Sequence, residues 1–178
     1  MFPDNHALNQ AIYHALRAAL LLSPEEASAH LFRAYADPPP AEPTPSENVC
    51  YYHLQTDPNP AVLQEILLES NTPEVFSFIP CTLTLVCYGP DCEAWAHRLQ
   101  SFLFLDGAGE PRQLLRSAGL FPIPSRRPPS VLFEESGKTF RKRADLVIPL
   151  RLRSNESYNK PIPTVETPPV IVVHSEVT

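Results

Sequence analysis

Between residues 140 and 153, apolar and charged side chains alternate almost without a break. Phe140, Ala144, Leu146, Ile148, Leu150 and Leu152 fall on one side of the period, and Arg141, Arg143, Asp145, Arg151 and Arg153 fall on the other. A period of two is the mark of a strand, since successive side chains point to opposite faces. Fourteen residues at about 3.3 Å each make an arm of roughly 46 Å, longer than the usual strand. Lys142 interrupts the apolar side, and Val147 and Pro149 interrupt the charged one. Pro149 cannot donate to a ladder, so an edge or a bend is expected there. Upstream, Val131-Leu132-Phe133-Glu134 and the segment from Lys138 flank Glu135-Ser136-Gly137, a hairpin signal with the long arm as its second strand.

A second alternating run, residues 82–88, puts Leu83, Leu85 and Cys87 on one face and Thr82, Thr84, Val86 and Tyr88 on the other. Gly89-Pro90 ends it. Beyond Asp91, the spacing of Trp95, Leu99, Phe102 and Leu103 draws one apolar stripe along a helix that packs on the sheet. A first helix is predicted over residues 4–22, with Leu8, Ile12, Ala15, Leu16, Ala19 and Leu20 as its stripe and Asp4 or Asn5 as cap. Ser23-Pro24-Glu25-Glu26 reads as a fresh helix start with a Ser23–Glu26 capping box, giving way to helix or strand over residues 30–35.

Residues 48–54 form a β-rich run ended by Asp57-Pro58-Asn59-Pro60. Residues 62–69 fit a helix face or a short strand equally well. Residues 111–118 read as a short helix closed by Gly119, with a strand over residues 120–123. The sum is an α+β fold: a mostly antiparallel sheet packed by an N-terminal and a central helix, with a long C-terminal hairpin and an extended tail. Residues 1–153 make one domain and residues 154–178 a proline-rich arm.

The 22 prolines against 5 glycines mark extended connections at residues 37–45, around Arg126-Arg127-Pro128-Pro129 and after Lys160. No apolar run approaches the roughly 20 residues of a membrane span, and the first basic residue is Arg17, so retention in the cytosol is expected. In that compartment Cys50, Cys81, Cys87 and Cys92 are expected as reduced, buried thiols.

The net charge of −6 hides a split. Residues 1–111 hold 3 basic against 14 acidic side chains, residues 112–153 hold 10 against 3, and residues 154–178 hold 1 against 3. Such asymmetry suits self-association in which the basic part of one copy meets the acidic part of the next, a heterologous contact that closes into a ring.

Candidate contact residues are therefore Arg126, Arg127, Arg141, Arg143, Arg151 and Arg153, with a solvated strand face as the plainer reading. In the tail, Pro161, Pro163, Pro168 and Pro169 hold the chain extended around Val170, Ile171, Val172 and Val173, a bare β-prone patch. It suits an arm that adds as a strand to a neighbouring copy or partner, a disordered tail, or a strand folded back on its own sheet.

Catalytic signals are sparse. The histidines lie apart, and no phosphate-cradling glycine loop, HExxH, GxSxG or dinucleotide fingerprint occurs. Cys87, Cys92 and His97 are the one grouping close enough in sequence to suggest a thiol nucleophile or metal site, without a second histidine or CxxC beside them. No cofactor is expected.

The order of pieces resembles the phage neck or tail terminator family over residues 6–153. Those pieces are the opening helix, Arg33-Ala34-Tyr35 before a proline loop, the strand at residues 49–54 and the strand ending in Tyr88-Gly89-Pro90-Asp91. The helix carrying Ala94, Trp95 and Leu99, the element at residues 114–119 and the Arg-rich strand around residues 141–145 complete the series. Cys92 departs from the pattern, since such proteins often carry a small residue at that helix start, and the C-terminal extension has no counterpart in it.

The resemblance implies a non-enzymatic virion protein, assembled in the bacterial host cytoplasm. It would cap the tail tube as a homo-oligomeric ring, commonly a hexamer, contact tube and sheath, and join the head connector, with DNA passing through unread. A head-completion or baseplate adaptor is the alternative within that class, and a cytosolic thiol enzyme the alternative outside it.

Overall fold

The computed structural model describes residues 5–36, 44–56, 63–67, 74–104, 109–125, 127–136 and 139–156. Four helices are α1 (Asn5–Leu20), α2 (Pro24–His30), α3 (Cys92–Phe104) and α4 (Glu110–Ser117). Seven strands are β1 (Leu31–Arg33), β2 (Val49–Thr56), β3 (Leu63–Leu67), β4 (Glu74–Tyr88), β5 (Leu120–Pro122), β6 (Ser130–Ser136) and β7 (Thr139–Glu156). All seven belong to one sheet in the order β1-β2-β4-β7-β5, with β3 also on β4 and β6 also on β7. Every pairing is antiparallel except β1 with β2. This is the α+β fold that the alternating runs require.

The long arm is β7, and it continues to Glu156, three residues past Arg153. It pairs with β4 from Val75↔Glu156 to Tyr88↔Arg143, so the two longest strands lie side by side in the sheet interior. Their inward faces carry Cys81, Leu83, Leu85 and Cys87 opposite Leu150, Ile148, Leu146 and Ala144 in turn, all buried. The α3 helix lies on β4 and β7, and α1 lies against α3 and α4. Leu8, Ile12 and Leu16 of α1 and Leu99 and Leu103 of α3 join the strand residues in one core. Burying each such side chain contributes about 1.5–3 kcal/mol, which is why the apolar stripes face the sheet.

Of the edge or bend that the missing donor of Pro149 suggested, the edge strand is not realised, since β7 lies between β4 and β5. The Pro149 carbonyl accepts from Ile123 N at 2.9 Å, so its backbone polar side faces away from β4. On that side β6 pairs with β7 only up to Asp145, and β5 starts only at Leu150. The proline therefore sits at the edge of the gap between two partner strands, where it takes one bond from Ile123 and has no N–H to return. Pro80 has the equivalent position on β4, between Phe78, the last partner of β3, and Cys81, the first partner of β2.

Local signals are realised closely. Ser23 Oγ accepts from Glu26 N at 3.2 Å while Glu26 Oε2 accepts from Ser23 N at 2.8 Å, a complete capping box. That bond to the Ser23 amide holds the Glu26 carboxyl below its usual range. Leu31 then leaves α2 directly into β1. At the end of α1, Arg98 Nε donates to the Ala19 carbonyl at 3.0 Å, satisfying one of the helix's terminal acceptors from across the core. Gly119, at φ 81°, ends α4 by donating to Arg116 O and accepts from Arg153 N at 2.8 Å, tying that helix to β7. The ambiguous stretch at residues 62–69 holds β3, paired with residues 74–78 of β4.

The Tyr88-Gly89-Pro90-Asp91 joint is a tight crossing. Gly89 has φ 108°, and a Cβ there would collide with the Glu47 carbonyl and lie 2.8 Å from Asn48 Cα. Asn48 locks the crossing from the other side: its Nδ2 donates to Asp91 Oδ2 and its Oδ1 accepts from Asp91 N, both at 2.9 Å. Gly89→Ala is expected to cost about 2–4 kcal/mol of stability in urea unfolding. Pro149→Ala, by contrast, should cost only about 0.4–1 kcal/mol, because only the greater freedom of the unfolded chain changes. A loss at Pro149 as large as at Gly89 would refute its placement in a gap.

Candidate functional site

Among the described residues, no helix covers the second face of the sheet. The β4 and β7 register turns Thr82, Thr84, Val86 and Tyr88 outward beside Arg143, Asp145, Val147, Pro149, Arg151 and Arg153. Val147 is 48% exposed and Arg151 is exposed. Aromatic rings cross this face at one end: Phe32 lies 5.9 Å from Tyr51 and Tyr51 5.9 Å from Tyr88 in an edge contact. At the other end Phe78 meets Phe121 at 5.9 Å, with Arg151 and Arg153 alongside in the β7 register.

Arg143 is largely committed within its own chain. Its Nε and Nη2 fork onto Asp145 at 2.6 and 2.8 Å, Nη1 is 3.5 Å from Glu134, and the guanidinium lies 5.9 Å above the Tyr88 ring. The bond to Asp145 raises its affinity for its proton further. Tyr88 donates its hydroxyl to Glu134 Oε2 at 2.8 Å, and burial, followed by that bond to a carboxylate, pushes the phenol up to about 12. On the helix side Lys142 Nζ reaches Glu93 Oε2 at 2.9 Å. The one residue out of step on the apolar side of β7 thus meets the first turn of α3. That bond holds the Glu93 carboxyl below its usual range.

The other expected contact residues are scattered. Arg127 is exposed, its carbonyl taken by Gln100 Nε2 at 2.7 Å. Arg141 lies opposite Glu134 across the hairpin, and Arg153 is half-buried. Arg126, Val170, Ile171, Val172 and Val173 lie outside the described residues. Along β7, Arg151 is eight residues from Arg143, about 26 Å away at strand rise. The exposed acids Glu47 and Asp91 flank the Arg143 end, whereas exposed Arg116 and Arg151 belong to the α4–β5 end.

The hairpin adds a feature the charge pattern did not reveal. Phe140 has the parity expected of it but is 71% exposed, because the β6–β7 hairpin runs on past the helix layer and no described residue covers that face. Phe133 is 71%, Leu132 48% and Val131 38% exposed beside it. Val131 and Phe133 share the helix-side parity, and Leu132 points to the open face. The signal was present in the sequence as three consecutive apolar residues, which necessarily load both faces of a strand.

The thiols make no reactive cluster. All four cysteines are free and buried, with Cys50 directly opposite Cys87 across β2 and β4. The Cys50 thiol, then burial, raise Cys87, while burial raises Cys92 and pushes Cys81 up to about 11. His97 is exposed, and five residues along a helix carry it about 140° round from Cys92. Among the described residues no group of three His, Cys, Asp or Glu could hold a metal ion, and no helix is long and apolar enough to cross a membrane.

No protein-family model matches the chain, and no curated protein matches its sequence.

Arg143→Ala should lower stability by about 1–2 kcal/mol in urea unfolding, by stripping Asp145 of two charge-assisted bonds. Combined with Asp145→Asn, the loss should be smaller than the two single losses added together. A thiol reagent at neutral pH should leave all four native cysteines unmodified and find four equivalents after unfolding. With Cys81 at about 11, its thiolate fraction near pH 7 is about 10⁻⁴. Rapid labelling of the native protein would show that these thiols are open to solvent.

Proposed function

We propose that the chain is a non-enzymatic structural subunit of a phage-like particle, whose copies close into a ring, a hexamer, that caps the tail tube and joins it to the head connector. The observation that carries this reading is the charge layout once pairs within the chain are accounted for. Arg143 and Lys142 at the hairpin end are balanced by Asp145, Glu134 and Glu93, leaving exposed Glu47 and Asp91 near that end. Exposed Arg116 and Arg151 lie toward the opposite end, on α4 and β7, with exposed Glu110 at the start of the same helix.

Arg116 and Arg151 of one copy set against Glu47 and Asp91 of the next would make a heterologous contact, which closes into a ring when its rotation closes. Apolar burial would hold the contact and charge would select its register. The open sheet face offers broad surface to tube or connector.

Mass photometry of the purified protein, alone and with tail tube, tests the reading. A closed assembly near six times the 19.9 kDa chain is expected. A strict monomer at high concentration, with tube present, would refute it.

A further inference from the structure

We infer that the outer edge of β6 is a receptor strand, filled by Val170-Ile171-Val172-Val173 from a second copy of this chain. The inference deepens the self-association reading and rests on it for the presence of that copy. Among the described residues β6 pairs only with β7, so its outer row of amides and carbonyls meets no strand. Free edges in monomers are normally blunted by charge or proline. Here Pro128-Pro129 precede the strand and Glu134 and Glu135 charge its hairpin half, whereas Val131, Leu132 and Phe133 in succession leave the other half apolar and exposed on both faces. Its complement is a strand apolar on both faces, and residues 170–173 have that character in every position.

Chain length argues for a neighbour's segment over the chain's own. The tail leaves β7 at Glu156, the end far from the hairpin, and Val170 is fourteen residue steps beyond Glu156. At about 3.1–3.6 Å each they span at most roughly 43–50 Å. Ala144, the β7 residue opposite Val131, lies twelve residues back, about 40 Å, and the new strand would stand two strand spacings to the side, a path of about 41 Å. A chain's own tail could therefore meet its β6 edge only when almost fully stretched. Antiparallel pairing, which gives the better ladder, would require about 47–50 Å at Val170, the very limit of that span. A tail from an adjacent copy has no such limit.

Site-directed cross-linking in the full-length protein tests this. Leu132→Cys and Ile171→Cys are made separately, mixed in equal amounts and oxidised, with Thr164→Cys replacing Ile171→Cys as control. A dimeric adduct joining residues 132 and 171, at least tenfold above the control, is expected. Val172→Lys in the otherwise unaltered chain should weaken self-association at least tenfold with circular dichroism unchanged.

A cross-link formed only within one chain, in the double variant, would assign the edge to the protein's own tail and overturn the inference. So would a closed ring that gives no adduct and tolerates Val172→Lys, an outcome that leaves the ring reading standing. Adducts in open-ended chains with no closed species would do the reverse, and a monomer without adduct would overturn both.

Discussion

The ladder between β4 and β7 is the interaction on which the rest of the molecule depends. It aligns two long strands over the whole distance from Val75↔Glu156 to Tyr88↔Arg143 and so fixes which side chains face inward. Leu83, Leu85, Leu146, Ile148, Leu150 and Leu152 form the platform on which α1 and α3 lie, and the same parity turns the arginines of β7 the other way. The peripheral strands attach to this pair in four separate sectors: β2 and β3 along β4, β5 and β6 along β7. Most of the strength comes from apolar burial on one face, and beyond the Arg143–Asp145–Glu134 cluster the second face stays open.

What could be read from sequence follows from the range of each signal. The β7 alternation, the α1 stripe, the Ser23–Glu26 box and the Gly119 stop are set by neighbouring residues, and each appears where its pattern places it. Residues 63–67 were undecidable because five residues satisfy both periods, and only pairing with the start of β4 selects a strand. The surroundings of Pro149 were hidden for a related reason: its donor-free side is tolerated because the β6 and β5 pairings end around it, and their lengths are not encoded near residue 149.

The charged surface shows the same division. Asp145 shares a face with Arg143 simply by standing two residues away, so half of that pairing was present in the pattern. Glu134 and Tyr88 join only after the hairpin and the central ladder have folded. A count of charges over residues 112–153 therefore overstated what Arg143 has left to offer a partner, whereas Arg151 stays exposed. The apolar hairpin was hidden differently: Phe140 obeys the alternation, and its exposure depends on how far α3 extends over the sheet.

Pro80 and Pro149 have one more consequence. A strand that slipped along β7 or β4 by an even number of residues would keep its faces in order, so apolar patterning alone resists that error poorly. Each proline stands just where such a slipped strand would next look for a hydrogen-bond donor, and it has none to give. The two residues act as end stops, confining each outer strand to its own stretch of the ladder by withholding a single proton.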